Sequence, residues 1–252
     1  LLSNHNYIIP IYQRNYSWGK EEISLLIRDI KEFFKSESSN KNYYIGSLIC
    51  FKRENGDYEL IDGQQRHTTI SLINVVLKNW DIKLGDTVSS SNLKFDSRKN
   101  IQSLLEGLYS TTNFENYLEI TKIVGTGNFR DAINFIKEEL DKLDEIEIKT
   151  FASDFYNKVK FFRVEVPEDT DLNHYFEIMN NRGEQLEKHE IIKANLLAKI
   201  ENYTDQEQFA IIWDACSDMS NYIWFNFDKE FRENIDNWGN LIPQSYNKIK
   251  MK

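Results

Sequence analysis

The segment from residue 58 to residue 69 reads YELIDGQQRHTT and brings together side chains that can bind a charged ligand. Its polar members are one carboxylate, two amides and one guanidinium: Asp62, Gln64, Gln65 and Arg66. A guanidinium at a turn can hold a phosphate or a carboxylate through two parallel hydrogen bonds. Gly63, in the same turn, lets backbone N–H groups approach such an anion. These residues indicate anion binding, and an ordinary turn with solvated polar residues is the alternative interpretation.

The same side chains could support phosphoryl transfer. In this hypothesis Arg66 and Arg14 hold phosphate oxygens, and Gln64 or Gln65 orients the attacking water, as a Gln does in other phosphoryl-transfer sites. The sequence leaves two roles open for Asp62. It either binds Mg²⁺ through a carboxylate oxygen or fixes Arg66 by a salt bridge.

Two strands and a helix must position this turn. Apolar residues predict a buried strand over 43–51 and a second strand over 58–61. Asn55-Gly56 is a hairpin signal, so the two strands should pair antiparallel and end at Asp62. The apolar spacing after the turn predicts a helix over 69–80, whose N-terminal N–H groups and dipole favour negative charge.

Two further clusters place an Arg beside an Asn or a Gln: Tyr12-Gln13-Arg14 and Asn180-Asn181-Arg182-Gly183. The first lies in an extended segment before a helix predicted over 18–35, for which Ser17 reads as the N-cap. The second interrupts helices predicted over 171–179 and 189–200. Because three turns of one type follow apolar elements, we expect them to converge on one polyanion.

The rest of the chain predicts a helix-majority α+β fold. The region 81–99 reads as a loop, 161–166 as a strand, and Thr204 with Glu207 as a capping box before a helix that runs through residue 219. Further helical spacing covers 101–108, 114–124, 129–143 and 151–160.

Composition limits the classes of function. The 252 residues carry a net charge of −9, which disfavours long-range attraction to DNA unless a local basic patch exists, for example Lys94, Arg98 and Lys99 or the lysines at 248, 250 and 252. Cys50 and Cys216 lie in separate apolar patterns and predict buried, reduced thiols, as in a cytoplasmic protein.

No P-loop, dinucleotide fingerprint, zinc-protease motif or membrane-span pattern is present. His174 and His189 read as structural and solvated, and His67 as a minor candidate for ligand contact.

Four stretches together resemble the N-terminal domain family of GmrSD-type, modification-dependent restriction proteins, which is related to the ParB/sulfiredoxin fold. They are I-P-x-Y-Q-R-x-Y-x-W at 9–18, G-S-L-I at 46–49, D-G-Q-Q-R-x-T-T at 62–69 and F-x-x-x-N-x-R-G-x-x-L at 176–186. The resemblance spans about residues 8–197. It implies a small mixed sheet in residues 1–200 with a helical insertion at about 81–150, followed by a helical extension at 201–252.

The resemblance also implies a function: binding and hydrolysis of a nucleoside triphosphate with Mg²⁺, coupled to restriction of modified foreign DNA in antiviral defence. GTP, UTP or CTP is favoured over ATP. The carried-over site consists of Asp62, Gly63, Gln64, Gln65 and Arg66, joined by Tyr12, Gln13, Arg14, Thr68, Thr69, Asn180, Arg182, Gly183 and Lys193. A nuclease domain or subunit is the implied partner, and a homo-oligomer is a further expectation.

This sequence departs from the family pattern at two points. The family often has an apolar residue where His67 stands, which puts ligand choice near that position in doubt. Relatives often carry a C-terminal HNH nuclease domain, and no such motif occurs here, so that part was removed, lies on a partner or is absent. Two other functions remain open: a non-catalytic module that senses a nucleotide or modified DNA and switches a partner nuclease, and a domain that binds or cleaves DNA itself.

Overall fold

The structure is a computed structural model that describes residues 5–36, 41–78, 91–111, 113–121, 123, 125–167 and 188–217. The chain divides into two compact units, Leu1–Phe176 and Glu177–Lys252. The domain boundary expected at residue 200 and the insertion expected at 81–150 stay predictions. No helix in the described ranges is long and apolar enough to cross a membrane.

A five-stranded mixed sheet frames the first unit, with strand order β4-β1-β3-β2-β5. Its strands are β1 (Tyr7–Ile9), β2 (Tyr43–Lys52), β3 (Tyr58–Asp62), β4 (Leu93–Phe95) and β5 (Val159–Val166). The predicted hairpin is confirmed, because β2 and β3 pair antiparallel. β1 runs parallel to both β3 and β4, and β2 runs parallel to β5.

Helices supply most of the core. The first unit contains α1 (Lys20–Ser36), α2 (Gln64–Lys78), α3 (Lys99–Ser110), α4 (Phe114–Ile120), α5 (Gly127–Leu140) and α6 (Glu145–Lys158). One buried cluster joins apolar side chains of α1, α2, α3, α5 and α6. In the described part of the second unit lie α7 (Lys188–Leu197) and α8 (Tyr203–Ser217). The predicted helix-majority α+β class is confirmed.

Helix α2 begins five residues earlier than the sequence predicted, at Gln64 instead of residue 69. The helix is buried around almost its whole circumference, so apolar spacing does not mark its start. The polar residues 64–66 are therefore the first helical turn and not a loop. The end predicted at residue 80 lies outside the described residues.

Other predicted boundaries are also wrong. Helix α1 begins at Lys20, where Glu22 accepts a hydrogen bond from the Gly19 N–H at 2.9 Å, so Ser17 is not its N-cap. The region 81–99, read as a loop, contains β4, a three-residue strand too short to show alternation. Helix α6 begins at Glu145 behind an unrecognised capping box at Asp144. Thr204 lies inside α8, where its N–H donates to Asn202 Oδ1 at 2.9 Å.

Candidate functional site

The turn between β3 and α2 is packed too closely for any side chain at Gly63. Its φ is +89°, and a Cβ there would lie 2.7 Å from Leu48 Cδ2 and 2.8 Å from the Ser47 carbonyl oxygen. The start of α2 therefore rests directly on β2. A glycine is needed both for the left-handed backbone and for this contact.

The N-terminus of α2 presents backbone donors at this turn. The first hydrogen bond of the helix runs from the His67 N–H to the Gly63 carbonyl at 2.9 Å. The N–H groups of Gln64, Gln65 and Arg66 precede it and have no acceptor within the helix. The helix is 15 residues long, and its positive dipole end lies at the turn.

Arg66 contributes the positive charge at this end of α2. Its Nη2 lies 3.4 Å from Asp62 Oδ2, and its side chain is 27% exposed whereas that of Asp62 is 52% exposed. The guanidinium also lies against Gly46, where a Cβ would come within 2.1 Å of Nη1. Gly46 has a φ of +137° and sits where the pairing register between β2 and β5 shifts. Asp62, Arg66 and Gly46 are thus brought together by β3, α2 and β2.

The two glutamines of the motif have different surroundings. The Gln65 amide is used at both ends, since Oε1 accepts from the Ser17 N–H at 2.9 Å and Nε2 donates to the Asn15 carbonyl at 3.1 Å. Gln64 is only 7% exposed, and its side chain makes no hydrogen bond to any described residue. Gln65 therefore ties the segment before α1 to α2, whereas the Gln64 amide makes no hydrogen bond within the described residues.

The Tyr12-Gln13-Arg14 segment is anchored on β3. The Tyr12 hydroxyl donates to Glu59 Oε1 at 2.6 Å, and burial together with this carboxylate raises the pKa of Tyr12. Gln13 is buried, and its Nε2 donates to the Ile61 carbonyl at 2.8 Å, one residue before Asp62. Tyr12 and Gln13 thus hold this segment beside the turn. The Arg14 side chain is half-buried.

The residues that follow Arg66 are buried inside the fold. The Thr69 hydroxyl donates to the Gln65 carbonyl at 2.9 Å and shares a hydrogen bond with the Tyr16 hydroxyl at 2.8 Å. Thr68 is equally buried. The Thr69 hydroxyl therefore stabilises the first turns of α2, and contact of either threonine with a ligand stays a prediction.

His67 is a buried aromatic contact and not a surface group. Its ring lies 4.9 Å from that of Tyr7 and 6.0 Å from that of Phe161, measured between centroids. Burial lowers the pKa of His67 to about 4, so the ring is neutral at pH 7. These apolar surroundings explain why a residue of apolar type suits the same position.

The remaining predicted site residues belong to the second unit. Lys193 lies in the second unit, where its Nζ is 2.5 Å from Asp214 Oδ1 and its side chain is 2% exposed. Asn180, Arg182 and Gly183, like His174, lie outside the described residues. Cys50 is free and buried, as predicted, and burial raises the pKa of its thiol to about 12. The Cys216 side chain lies outside the described part of the chain.

The carboxylate of Asp62 is a candidate metal ligand at this turn. Within the described ranges, no three His, Cys, Asp or Glu residues cluster as a metal site. Mg²⁺ at phosphates is held by one or two carboxylates and keeps several waters. Asp62, exposed at the turn, can supply one such carboxylate.

Two of the basic residues considered for DNA contact, Lys94 and Arg98, have partners within the protein. Lys94 Nζ lies 3.9 Å from Asp57 Oδ2. Arg98 Nη2 donates to the Gln13 carbonyl oxygen. Among the described residues, neither of these two side chains forms part of an unpaired basic patch. The lysines at 248, 250 and 252 lie outside the described residues.

Gly46 is the member of this site that residue types alone did not identify. It lies in the G-S-L-I stretch at 46–49, for which the sequence predicted no role. A Gly inside a strand pattern often marks a bulge or a close approach of another group, and that was the available signal. Its partner Arg66 could not be known before the fold placed α2 against β2.

Comparison with known proteins gives one family match. The family described as "GmrSD restriction endonuclease, N-terminal domain" matches residues 1–197, more than three quarters of the chain. No curated protein matches the chain.

Proposed function

The chain belongs to the GmrSD restriction endonuclease N-terminal domain family, and from this premise we propose that it binds and hydrolyses a nucleoside triphosphate within a DNA restriction system. Membership implies a domain of a restriction-endonuclease system that works with a nuclease and with DNA. The nucleotide, its hydrolysis and the choice of modified DNA as the target are the proposed steps. GTP, UTP or CTP is favoured over ATP.

The observation that carries this proposal is the position of Arg66 at the N-terminus of α2. Among the described residues its guanidinium makes one hydrogen bond, to Asp62 at 3.4 Å. The other N–H groups of the fork remain for a ligand oxygen. A partly buried Arg at a helix N-terminus suits phosphate, because guanidinium fork, backbone N–H groups and dipole all favour the same charge.

Gln64 is the better supported of the two candidates for positioning the attacking water. Gln65 is committed to the backbone of residues 15 and 17 at both ends of its amide. Gln64 makes no hydrogen bond to any residue that the structure describes, and it lies in the same helical turn as Arg66. In this proposal Gln64 orients water, Arg66 balances charge on the phosphates, and Tyr12 and Gln13 hold the Arg14 segment nearby.

Asp62 has two proposed roles. Its contact with Arg66 supports a brace for the guanidinium, and its exposed carboxylate supports binding of Mg²⁺. When bound, Mg²⁺ would neutralise phosphate charge.

The test measures binding and hydrolysis of GTP, UTP, CTP and ATP with Mg²⁺, for the wild type, Arg66→Ala and Gln64→Ala. We expect Arg66→Ala to lower turnover by about 10³-fold, as loss of an Arg clamp does elsewhere. Gln64→Ala should lower turnover with a smaller effect on binding. Arg28→Ala is the matched control. Arg28 is exposed on α1, and its ion pair with Glu32 is long, at 4.0 Å, and exposed to solvent. A wild type that binds none of the four nucleotides contradicts the proposal.

Binding without turnover would instead support the non-catalytic module. In that case the domain senses a nucleotide and switches a partner nuclease.

A further inference from the structure

The guanidinium of Arg66 fills the space that a side chain at position 46 would need. A Cβ on Gly46 would lie 2.1 Å from Arg66 Nη1 and 3.3 Å from Cζ, far inside the contact distance of two heavy atoms. The guanidinium therefore lies directly over the β2 backbone at the point where its register with β5 shifts. Any larger residue at position 46 would have to displace the charged group of Arg66.

Position 46 requires a glycine because of the space taken by Arg66 and not only because of its backbone conformation. Gly46 has a φ of +137°, and Gly56 has a φ of +85° in the β2–β3 turn, but nothing lies within 4 Å of a Cβ placed on Gly56. An alanine at either position would have to adopt a positive φ, which is unfavourable. Of these two positions, only 46 would also bring the new Cβ against another side chain. Gly56 is thus a natural reference for the backbone cost alone.

We infer that Gly46 is a positioning residue for the anion site and that it acts through Arg66. This inference rests on the proposed function, because it deepens the description of the same site. Gly46 keeps the guanidinium over β2 and 3.4 Å from Asp62, the residue that precedes the β3–α2 turn. A side chain at position 46 swings the guanidinium away and removes the clamp on the phosphates.

A double-mutant cycle tests this role. In the wild-type background we expect Gly46→Ala to weaken triphosphate binding by about 10- to 100-fold, the value of a charge-assisted hydrogen-bond pair. In the Arg66→Ala background the same change should alter the affinity by less than about twofold, since the clamp is already gone. The melting temperature should show the same coupling: Gly46→Ala lowers it more when Arg66 is present. Gly56→Ala should lower the melting temperature without changing the affinity.

The results distinguish a failure of the positioning role of Gly46 from a failure of the proposed function. If the wild type binds triphosphate and Gly46→Ala binds it equally well, the positioning role is wrong and the proposed function stands. If the wild type binds no triphosphate, the proposed function fails, and the melting temperatures still judge the contact: coupled effects support it and additive effects overturn it. If Gly46→Ala does not fold, recovery of folding in Gly46→Ala/Arg66→Ala supports the inference, and no recovery overturns it.

Discussion

The backbone N–H of Ser17 donates to Oε1 of Gln65 at 2.9 Å, so the first turn of α2 holds the chain that leads into α1. The other end of the same amide donates to the Asn15 carbonyl at 3.1 Å. A single side chain therefore satisfies two backbone groups of an irregular segment, 48 and 50 residues away in the sequence. Gln65 therefore has a structural role in the motif: it joins the first turn of α2 to the segment that follows Arg14.

Replacing Gln65 should therefore destabilise the fold more than replacing its neighbour. We expect Gln65→Ala to lower the free energy of unfolding by about 2 kcal/mol, because it leaves two backbone groups without partners. Gln64→Ala is the control and should cost less than about 1 kcal/mol, since its side chain makes no hydrogen bond within the described chain. Urea denaturation of the three proteins measures both values, and equal losses would contradict the assignment of Gln65.

The sequence predicted the elements of this site better than their boundaries. The β2–β3 hairpin was readable because Asn55-Gly56 is a local signal between two apolar runs. The start of α2 was misplaced because burial on all sides removes the apolar–polar contrast on which periodicity depends. The β4 strand was missed because three residues carry no alternation.

The contacts between distant elements could not be read from the sequence at all. That Gly46 lies under Arg66, or that Gln65 binds Ser17, depends on packing between elements far apart in the chain. Burial could not be predicted from residue type at Thr68 and Thr69, which are polar but buried within α2. Polar type indicates hydrogen bonding, and only the fold shows whether the partner is a ligand or the protein itself.

Close packing at the β3–α2 turn predicts an unusually costly Gly63→Ala change. The new Cβ would meet Leu48 Cδ2 at 2.7 Å and the Ser47 carbonyl oxygen at 2.8 Å. Gly125, with a φ of +78° and nothing within 4 Å, is the matched control. We expect Gly125→Ala to cost about 1 kcal/mol from backbone strain alone and Gly63→Ala at least 1 to 3 kcal/mol more from overpacking. Similar denaturation midpoints for the two variants would show that β2 yields to the added atom.

The buried ring of His67 predicts a loss of stability in mild acid. Burial lowers the pKa of His67 from 6.5 to about 4 in the folded protein. As the pH falls below 6.5, His67 takes up a proton in the unfolded chain before it does so in the folded protein. The stability that the neutral ring contributes is therefore fully present above pH 6.5 and is lost as the pH falls to about 4. The total is on the order of 3 kcal/mol.

The variant His67→Phe isolates this effect, because it keeps an aromatic ring between Tyr7 and Phe161 and has no proton to bind. The free energy of unfolding, measured from pH 4 to pH 7.5, should fall more steeply with acid for the wild type than for the variant. Parallel curves for the two proteins would mean that His67 takes up its proton equally in both states.

A charge network under the Tyr12 segment predicts a large effect from Arg53. Arg53 Nε donates to Glu59 Oε2 at 2.9 Å, and Nη1 and Nη2 hold both carboxylate oxygens of Asp96. Arg53→Met leaves two partly buried carboxylates without their cation, and we expect a loss of about 2 to 3 kcal/mol. Arg28→Met, which removes an exposed pair with Glu32, should cost less than about 0.5 kcal/mol. A comparable cost for both would contradict the role of the network in anchoring Tyr12.

The two proposed roles of Asp62, a brace for Arg66 and a ligand of Mg²⁺, can be distinguished by measuring triphosphate binding with and without metal. Its one side-chain contact within the described chain is with Arg66, so we expect Asp62→Asn to weaken triphosphate binding by a similar, few-fold factor in Mg²⁺ and in EDTA. In the Arg66→Ala background the same change should then have almost no effect, because there is no guanidinium left to brace. Wild-type affinities in both buffers serve as the reference. A loss that occurs only in Mg²⁺, and that persists without Arg66, would instead assign the Asp62 carboxylate to the metal ion, since a ligand of Mg²⁺ acts only when the ion is present.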